Sequence, residues 1–501
     1  MINILLILLF ILFNNLYFFN ILKYYQEDHY HFRLFKRLIF KYYFKRPYFI
    51  IIFFLILLNN HLVTQAVISF ILICLIVEYH KQKLIKLTKR VLRLIIINSL
   101  FCLFIIINKY NIFIITIILL IYPLYLMLLF YIETNITKVI NQYYYNKAKK
   151  KIKKYKPFII GITGSCGKTS IKNYLYNTLN KEIIAFKSDK SYNTLNGLSM
   201  TINQKLNSYN TIFILEMGAS HKKDIKKITK YFKPNISIIS EILPQHLETF
   251  KKMDILINEK MEIIKNMQDN GLIIVNGDNK LIIDNLINPH NNPIYTFGMK
   301  NTNDFYPENI QIEKNGLKFN VKDLEINSEL IGRHNINNLL VVIIVLKYFK
   351  IPNFKIKKYI EELKNYENRL EIKVIDDLII LNDSYNSNYI GFINALEILS
   401  KYQGTKMIIT PGIVEGGIMQ AEMNRNIAGE ICKKCDFCYL VNNKNIEYFE
   451  YEFQKNNFNN YVVVNSFISG FNQAKNKGGI LLIENDLTDY YYLDMKRRNK
   501  E

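Results

Sequence analysis

The sequence predicts an α/β protein in which an N-terminal α-helical transmembrane region precedes two α/β units, the second smaller and Rossmann-like. Three observations carry that expectation. The first 132 residues are dominated by three long apolar blocks set apart by basic stretches. From Lys156 onward, short β-rich apolar runs alternate with charged, helix-periodic segments. The first of those runs enters a glycine-rich turn, GITGSCGKTS at residues 161–170, which opens into a helical pattern.

Of the apolar blocks, Ile2–Leu22 matches one membrane crossing at about 20 residues. Tyr48–Tyr79 is broken by NNH at 59–61, and Leu94–Glu133 by NKYN at 108–111, so each reads as a hairpin. The stretches KYYQEDHYHFRLFKRLIFKYYFKR and HKQKLIKLTKRVLR between them, and KAKKKIKKYK after them, are basic, which assigns all three to the cytoplasmic side. The expectation is about five spans in the inner or cytoplasmic membrane, with membrane lipid as a partner and the catalytic part in the cytoplasm. Residues 1–157 hold 22 Lys and Arg against Glu27, Asp28, Glu78 and Glu133, so most of the formal net charge of +23 belongs to this region. That distribution argues against a nucleic-acid partner. Cys432, Cys435 and Cys438 form a CxxCxxC without a second cluster at ligand spacing, and read as small residues around a strand start.

In the first α/β unit, FIIGIT, TIFILEMG, ISIISEI and GLIIVNGD are apolar runs of the kind buried parallel strands show, with helical segments such as KKDIKKITKYF between them. In the second, from about residue 368, KVIDDLIILNDS, TKMIITPG, CDFCYLVNN, NYVVVNS and GGILLIEND read as strands. The expected domains are 1–155, 156–365 and 366–501.

The turn at 161–170 has the strand–loop–helix setting of a P-loop. Backbone N–H groups around Gly164, Ser165, Cys166 and Gly167 can converge on phosphates at a helix N-terminus. Lys168 supplies a point charge, the Thr169 hydroxyl can ligate Mg²⁺, and Ser170 completes the turn. The strict pattern places glycine at 162, where this chain has isoleucine; Gly161 comes one position early.

The string TGSxGKTS resembles the ATP loop of the Mur ligases, the amide-forming enzymes of peptidoglycan synthesis, and further strings follow in that family's order. KSYNTLNGLSMTI (190–202) resembles its Asn-rich loop. LEMGAS (215–220) resembles the signature of the branch that adds D-Ala-D-Ala to a muramoyl tripeptide. ISEILPQHLETF (239–250) and NEKMEII (258–264) follow, the latter with Glu259 where alanine is usual. LIGRHNINNLLVVIIVL (330–346), NRLEI (368–372), LNDSYNSNYIGFINAL (381–396) and TPGIVEGG (410–417) complete the set. The resemblance covers residues 157 to about 485.

The resemblance implies an ATP-dependent ligase that phosphorylates a carboxylate and lets an amine displace the phosphate. It implies catalytic roles for Lys168, Glu216, His246 and Lys260. Thr169, Glu216, His246 and Lys260 would hold Mg²⁺, with Lys260 carbamylated. Asn193, Thr194 and Asn196 would meet substrate. His334, Asn335 and Asn338 would lie near the nucleotide base. Arg369 would suit the phosphates and Asp383 a ribose hydroxyl or that arginine, with Tyr385, Asn386 and Glu415 in neighbouring loops. ATP, Mg²⁺, a muramoyl peptide and an amino-acid or dipeptide amine are the implied ligands, with other cell-wall enzymes as possible partners.

In the family's soluble members a small UDP-gripping domain comes first, and here the apolar region stands in its place. Three readings therefore stay open: a ligase for D-Ala-D-Ala, a membrane-bound ligase for another substrate such as a lipid-linked muropeptide or poly-γ-glutamate, and a P-loop-driven transporter or sensor. The EMGAS and DSYNSN strings favour the first, and the sequence lacks the Leu-Ser-Gly-Gly-Gln signature of an ABC-type motor.

Overall fold

The computed structural model describes residues 2–27, 85–108, 112–189, 192–219, 221–243, 250, 252–313, 316–366, 369–384, 388–414 and 419–485. The chain divides into two compact units, Met1–Tyr143 and Tyr144–Glu501.

In the first unit, the described elements are helices α1 (Ile2–Glu27), α2 (Lys89–Ile107) and the start of α3 (Ile112–Tyr155). The break expected at 108–111 falls where α2 ends and α3 begins. Polar groups interrupt all three helices and pair with one another. The Tyr122 hydroxyl donates to Asn98 Oδ1 at 2.9 Å and to the Asn14 carbonyl at 3.2 Å. Glu133, 1% exposed, accepts from Arg90 and, at 2.7 Å, from Arg93. Helix α3 does not stop at Glu133 but continues into the lysine-rich NQYYYNKAKKKIKKY.

Among the described residues no helix is long and apolar enough to cross a membrane. This corrects the transmembrane part of the expected fold class and the multi-pass membrane localisation, and the membrane-lipid partner loses its basis with them. The apolar composition seen in sequence is interrupted by asparagines, arginines and Glu133, which find one another when the helices pack. The block Tyr48–Tyr79 lies outside the described residues.

The second unit begins with the last turns of α3. Ala148 is fully buried there, and Lys151 Nζ donates to the carbonyls of Asn203 (2.8 Å) and Leu206 (3.1 Å). Then come β1 (Phe158–Thr163), α4 (Lys168–Leu179), β2 (Ala185–Lys187), α5 (Leu195–Lys205), β3 (Ile212–Glu216), α6 (Asp224–Tyr231), β4 (Ile236–Ile239), α7 (Met253–Lys265), β5 (Leu272–Asn276), α8 (Lys280–Ile283) and β6 (Ile294–Phe297). The strands form one parallel sheet in the order β2-β3-β1-β4-β5-β6. Both faces are covered, so β3, β4 and β5 are buried at every position, which is why they read as unbroken apolar runs.

One face packs on α4, on α9 (His334–Tyr348) and α10 (Asn353–Glu361), and on an antiparallel sheet of β7 (Glu308–Glu313), β8 (Gly316–Val321) and β9 (Leu324–Ser328). The other packs on α5, α6, α7 and the end of α3. Helix α9 buries every residue from Leu339 to Leu346, so its apolar character runs all round the helix.

The third sheet comprises β10 (Glu371–Ile375), β11 (Leu378–Asp383), β12 (Lys406–Thr410), β13 (Phe437–Val441), β14 (Tyr461–Val464) and β15 (Gly479–Glu484). Its order is β10-β11-β15-β12-β13-β14, with β10 antiparallel to β11 and the other neighbours parallel. Helices α11 (Tyr389–Ser400), α12 (Gln420–Lys434) and α13 (Ile446–Lys455) cover one face and α14 (Phe467–Lys477) the other. KVIDDLIILNDS, expected as one strand, is a hairpin: Asp376 takes φ 53°, and Ile375 pairs with Leu378 across the turn. Aspartate tolerates that left-handed backbone better than most residues.

Candidate active site

Strand β1 lies between β3 and β4, at the point where the strand order reverses, so the loops after all three strands meet at one sheet edge. Gly161 belongs to the strand. A Cβ there would meet Met217 Cε at 3.0 Å and Pro234 Cβ at 3.1 Å. The loop glycines are Gly164 and Gly167. Gly164 at φ +152° would drive a side chain into Ser240, and Gly167 at φ +79° would drive one to 2.8 Å from Asn338 Oδ1. The loop is pinned from β4's end: Ser165 N donates to the Glu241 carbonyl at 2.6 Å, and Leu243 N to Ser165 Oγ at 2.9 Å. A backbone cradle with no room for Cβ atoms is what close approach of a phosphate requires.

Lys168 curls over the loop, donating to the carbonyls of Gly164 (2.7 Å) and Ser165 (3.2 Å). Burial pulls its pKa down, against the pull of Glu216. Burial and the nearby Glu241 carboxyl push the Cys166 thiol up to about 12, so it stays a protonated, inert lining group. Ser170 faces the same cavity.

Glu216, in register with Ile162 of β1, is 2% exposed. Its Oε2 accepts from Thr169 Oγ1 at 2.9 Å and Lys172 Nζ at 3.2 Å, and its Oε1 from Asn193 Nδ2 at 3.3 Å. Burial opposes ionisation, but Lys172, Lys168 and the two polar donors outweigh it and hold the carboxyl below its ordinary value. Asn193 thus ties the Asn-rich loop to Glu216. Thr194 caps α5 by accepting from Gly197 N at 3.3 Å, and Asn196 accepts from the Tyr145 hydroxyl. Thr169 and Glu216 form a pair of hard oxygen donors. That set fits Mg²⁺, which takes one or two carboxylates and completes its shell with water and phosphate oxygens. Among the described residues no group of three or more His, Cys, Asp or Glu could hold a metal.

Lys260 sits on α7, 4% exposed, and burial together with the Lys168 ammonium pulls its pKa down to about 7. Its neighbour Glu259 turns the other way. Its carboxylate accepts from the amides of Lys223 and, at 2.7 Å, Ile225, capping α6. Burial nonetheless pushes its pKa up, with these amides opposing. The Glu259→Ala variant should lose about 2 kcal/mol of stability through the orphaned amides, read as a lower denaturant midpoint. An unchanged midpoint would remove the cap.

His334, Asn338, Arg369 and Asp383 line a cavity of about 240 Å³ next to Cys166 and Gly167. Burial and the Arg369 charge pull His334 down to about 4, leaving a neutral ring. Its Nδ1 and the Asn337 Oδ1 have no hydrogen-bond partner among the described residues. Two such orphaned atoms beside the loop suit a hydrogen-bonding ring system. Asn335 stands behind, donating to the Ile331 carbonyl at 2.8 Å and accepting from Asn338 at 2.9 Å. Burial raises Asp383 to about 6 against the pull of Arg369. His246, Tyr385, Asn386 and Glu415 lie outside the described residues.

Sequence reasoning missed Lys172, Asn337, Ser240, Glu241 and Arg333, which lines the same cavity. Lys172 had a signal: four residues after Lys168 on one helix, it shares that residue's face. Of the CxxCxxC, Cys435 and Cys438 are buried, and burial pushes all three thiols up.

Fold and site together define an α/β P-loop protein whose crevice gathers lysines around a glycine cradle and a buried carboxylate. The Mur ligase middle domain matches residues 162–346. It is 31% identical over 264 residues to the UDP-N-acetylmuramoyl-tripeptide–D-alanyl-D-alanine ligase of Buchnera aphidicola, covering 52% of this chain and 57% of that protein. With the ligase of the same name from Bacillus subtilis it shares 27% identity, covering 54% and 60%. The chain thus spans little more than half the length of these relatives. In fold, it is similar to MurF from Acinetobacter baumannii (TM-score 0.62, 17% identity, 72% of this chain and 80% of that one). It is also similar to the Thermotoga maritima MurF ligase solved with ADP (TM-score 0.61, 20% identity, 72% and 83%).

Proposed function

We propose that this protein is an ATP-dependent amide ligase of peptidoglycan precursor synthesis, joining D-Ala-D-Ala to a muramoyl tripeptide. Residues 156–365 would form its ATP-binding domain and 366–501 the domain that faces it. The observation that carries the reading is the convergence of Lys168, the Thr169–Glu216 pair and Lys260 on one strand-end crevice, within the stretch matching the Mur ligase middle domain.

The chemistry needs a carboxylate and a terminal phosphate, both anionic, brought together. Lys168 is the fixed cation at the loop, and the loop amides hold the phosphate oxygens. Glu216 and Thr169 would hold Mg²⁺, which would neutralise phosphate charge. His334 and Asn337 offer their free atoms to the base, and Arg369 and Asp383 face the same cavity. The amine then displaces phosphate from the activated acid. Asn193 links the Asn-rich loop, where the acceptor would sit, to the metal carboxylate.

Release of ADP on mixing the protein with ATP, muramoyl tripeptide and D-Ala-D-Ala tests the proposal, with glutamate as the competing amine. Stoichiometric ADP and new amide with the dipeptide is the expected result. Amide formed only with glutamate would move the protein to another ligase branch, and no ADP with any acid and amine pair would end the ligase reading.

A further inference from the structure

Glu216 Oε2 serves two donors at once, and one of them is a lysine outside the phosphate loop. Lys172 is 1% exposed and its ammonium lies 3.2 Å from that oxygen, on the same carboxylate edge that Thr169 Oγ1 reaches at 2.9 Å. A divalent ion shared by Thr169 and Glu216 must bind at this edge. The ammonium therefore stands where the ion's charge would go. Lys168 is a second cation acting on the same carboxylate, so two ammonium groups already act on Glu216 before any metal arrives.

We propose that Lys172 is a resident counter-ion that keeps a divalent cation off Glu216 until a polyphosphate comes with it. The inference rests on the reading of Glu216 as a metal ligand. In the metal-free state the ammonium keeps the buried carboxylate ionised and aimed at Thr169. A bare divalent ion meets repulsion from Lys172 and Lys168 across a short, poorly hydrated distance. A nucleotide-bound ion arrives with phosphate charges that offset both lysines, and binds. Lys172 is thus a positioning residue that couples metal occupancy to nucleotide occupancy and guards against empty-handed metal binding.

The test is Mn²⁺ binding, followed by its paramagnetic resonance signal, with and without ADP, to the full chain and to Lys172→Met, Lys172→Arg and Glu216→Gln. Lys172→Met should bind Mn²⁺ without ADP about tenfold more tightly than the parent, shrinking the gain that ADP gives. Lys172→Arg, which keeps the charge, should behave like the parent. Glu216→Gln should lose Mn²⁺ binding with ADP present; if it does not, the metal reading of Glu216 fails whatever Lys172 does. If Glu216→Gln loses the ion while Lys172→Met binds it no better than the parent, Lys172 is a structural ion pair and the inference is overturned. Should Lys172→Met not fold, Lys172→Gln, whose neutral amide can still donate to Glu216, carries the same comparison.

Discussion

Lys168→Ala should lose ATP-dependent turnover by about a thousandfold or more while the chain still folds. Among the described residues the ammonium donates to the carbonyls of Gly164 and Ser165, in the loop itself. Removing it deletes two local hydrogen bonds, worth about 1–3 kcal/mol together, and relieves the burial that already pulls its pKa down. The chain keeps its main structural braces, since the loop is also pinned by Ser165 to Glu241 and Leu243. What goes is the loop's own charge, the one the proposed reaction sets against the transferring phosphoryl group. Lys168→Arg should not rescue, because a planar guanidinium cannot follow the tight curl over Gly164. Steady-state ADP release and the melting temperature together decide it. A folded Lys168→Ala protein with normal turnover would take the P-loop out of the chemistry.

The parallel sheet of the first α/β unit was largely legible because its strands are covered on both faces and hence apolar throughout. Strand β3 reads IFILE and is buried at every position. The small antiparallel sheet was not read. Strands β8 and β9 alternate buried and exposed residues, and polar partners in GLKFNV and LEINS dilute the apolar signal. The hairpin at Asp376 was read as one strand because its two-residue turn interrupts an apolar run without glycine or proline. In the site, residues inside one continuous string, such as Gly164 to Ser170, could be assigned from their order. For Lys172 the spacing from Lys168 offered only a shared helix face; its partner Glu216 is 44 residues away, and in a chain with 65 Lys and Arg that pairing left no mark in the sequence. Glu259 was hidden for the same reason, since the amides it caps belong to another helix. The N-terminal blocks misled because composition records apolar content but not that Asn98 and Tyr122, or Arg93 and Glu133, pair when the helices pack.

Lys260→Ala should retain at most about one-hundredth of parental activity, with part restored by acetate or formate. Alone on a helix a lysine is usually a solvated charge, but this one is 4% exposed beside Lys168 and has its pKa pulled to about 7. Near neutral pH much of it is therefore a free amine, the form that reacts with CO₂ to give a carbamate and a proton. The family resemblance implies that modification; burial and the lowered pKa provide its chemical opening, and Glu259, engaged with α6, does not compete for the position. A carbamate would replace a cation that repels Lys168 with an anion that attracts it and can support Mg²⁺. Carboxylates small enough to enter the space left by alanine would supply the same charge. The pH signs follow. Activation by added bicarbonate should grow as pH rises through about 7, because only the neutral amine reacts. In CO₂-free buffer, folded Lys260 sheds its proton near 7 while an unfolded lysine holds it to about 10.4, so stability should rise across that window. Lys260→Met should accordingly melt above the parent at pH 6, with the gap closing toward pH 10. Full activity in Lys260→Ala, with no CO₂ adduct detected on the intact parent by mass spectrometry, would make Lys260 a buried packing residue and remove it from the metal's ligands.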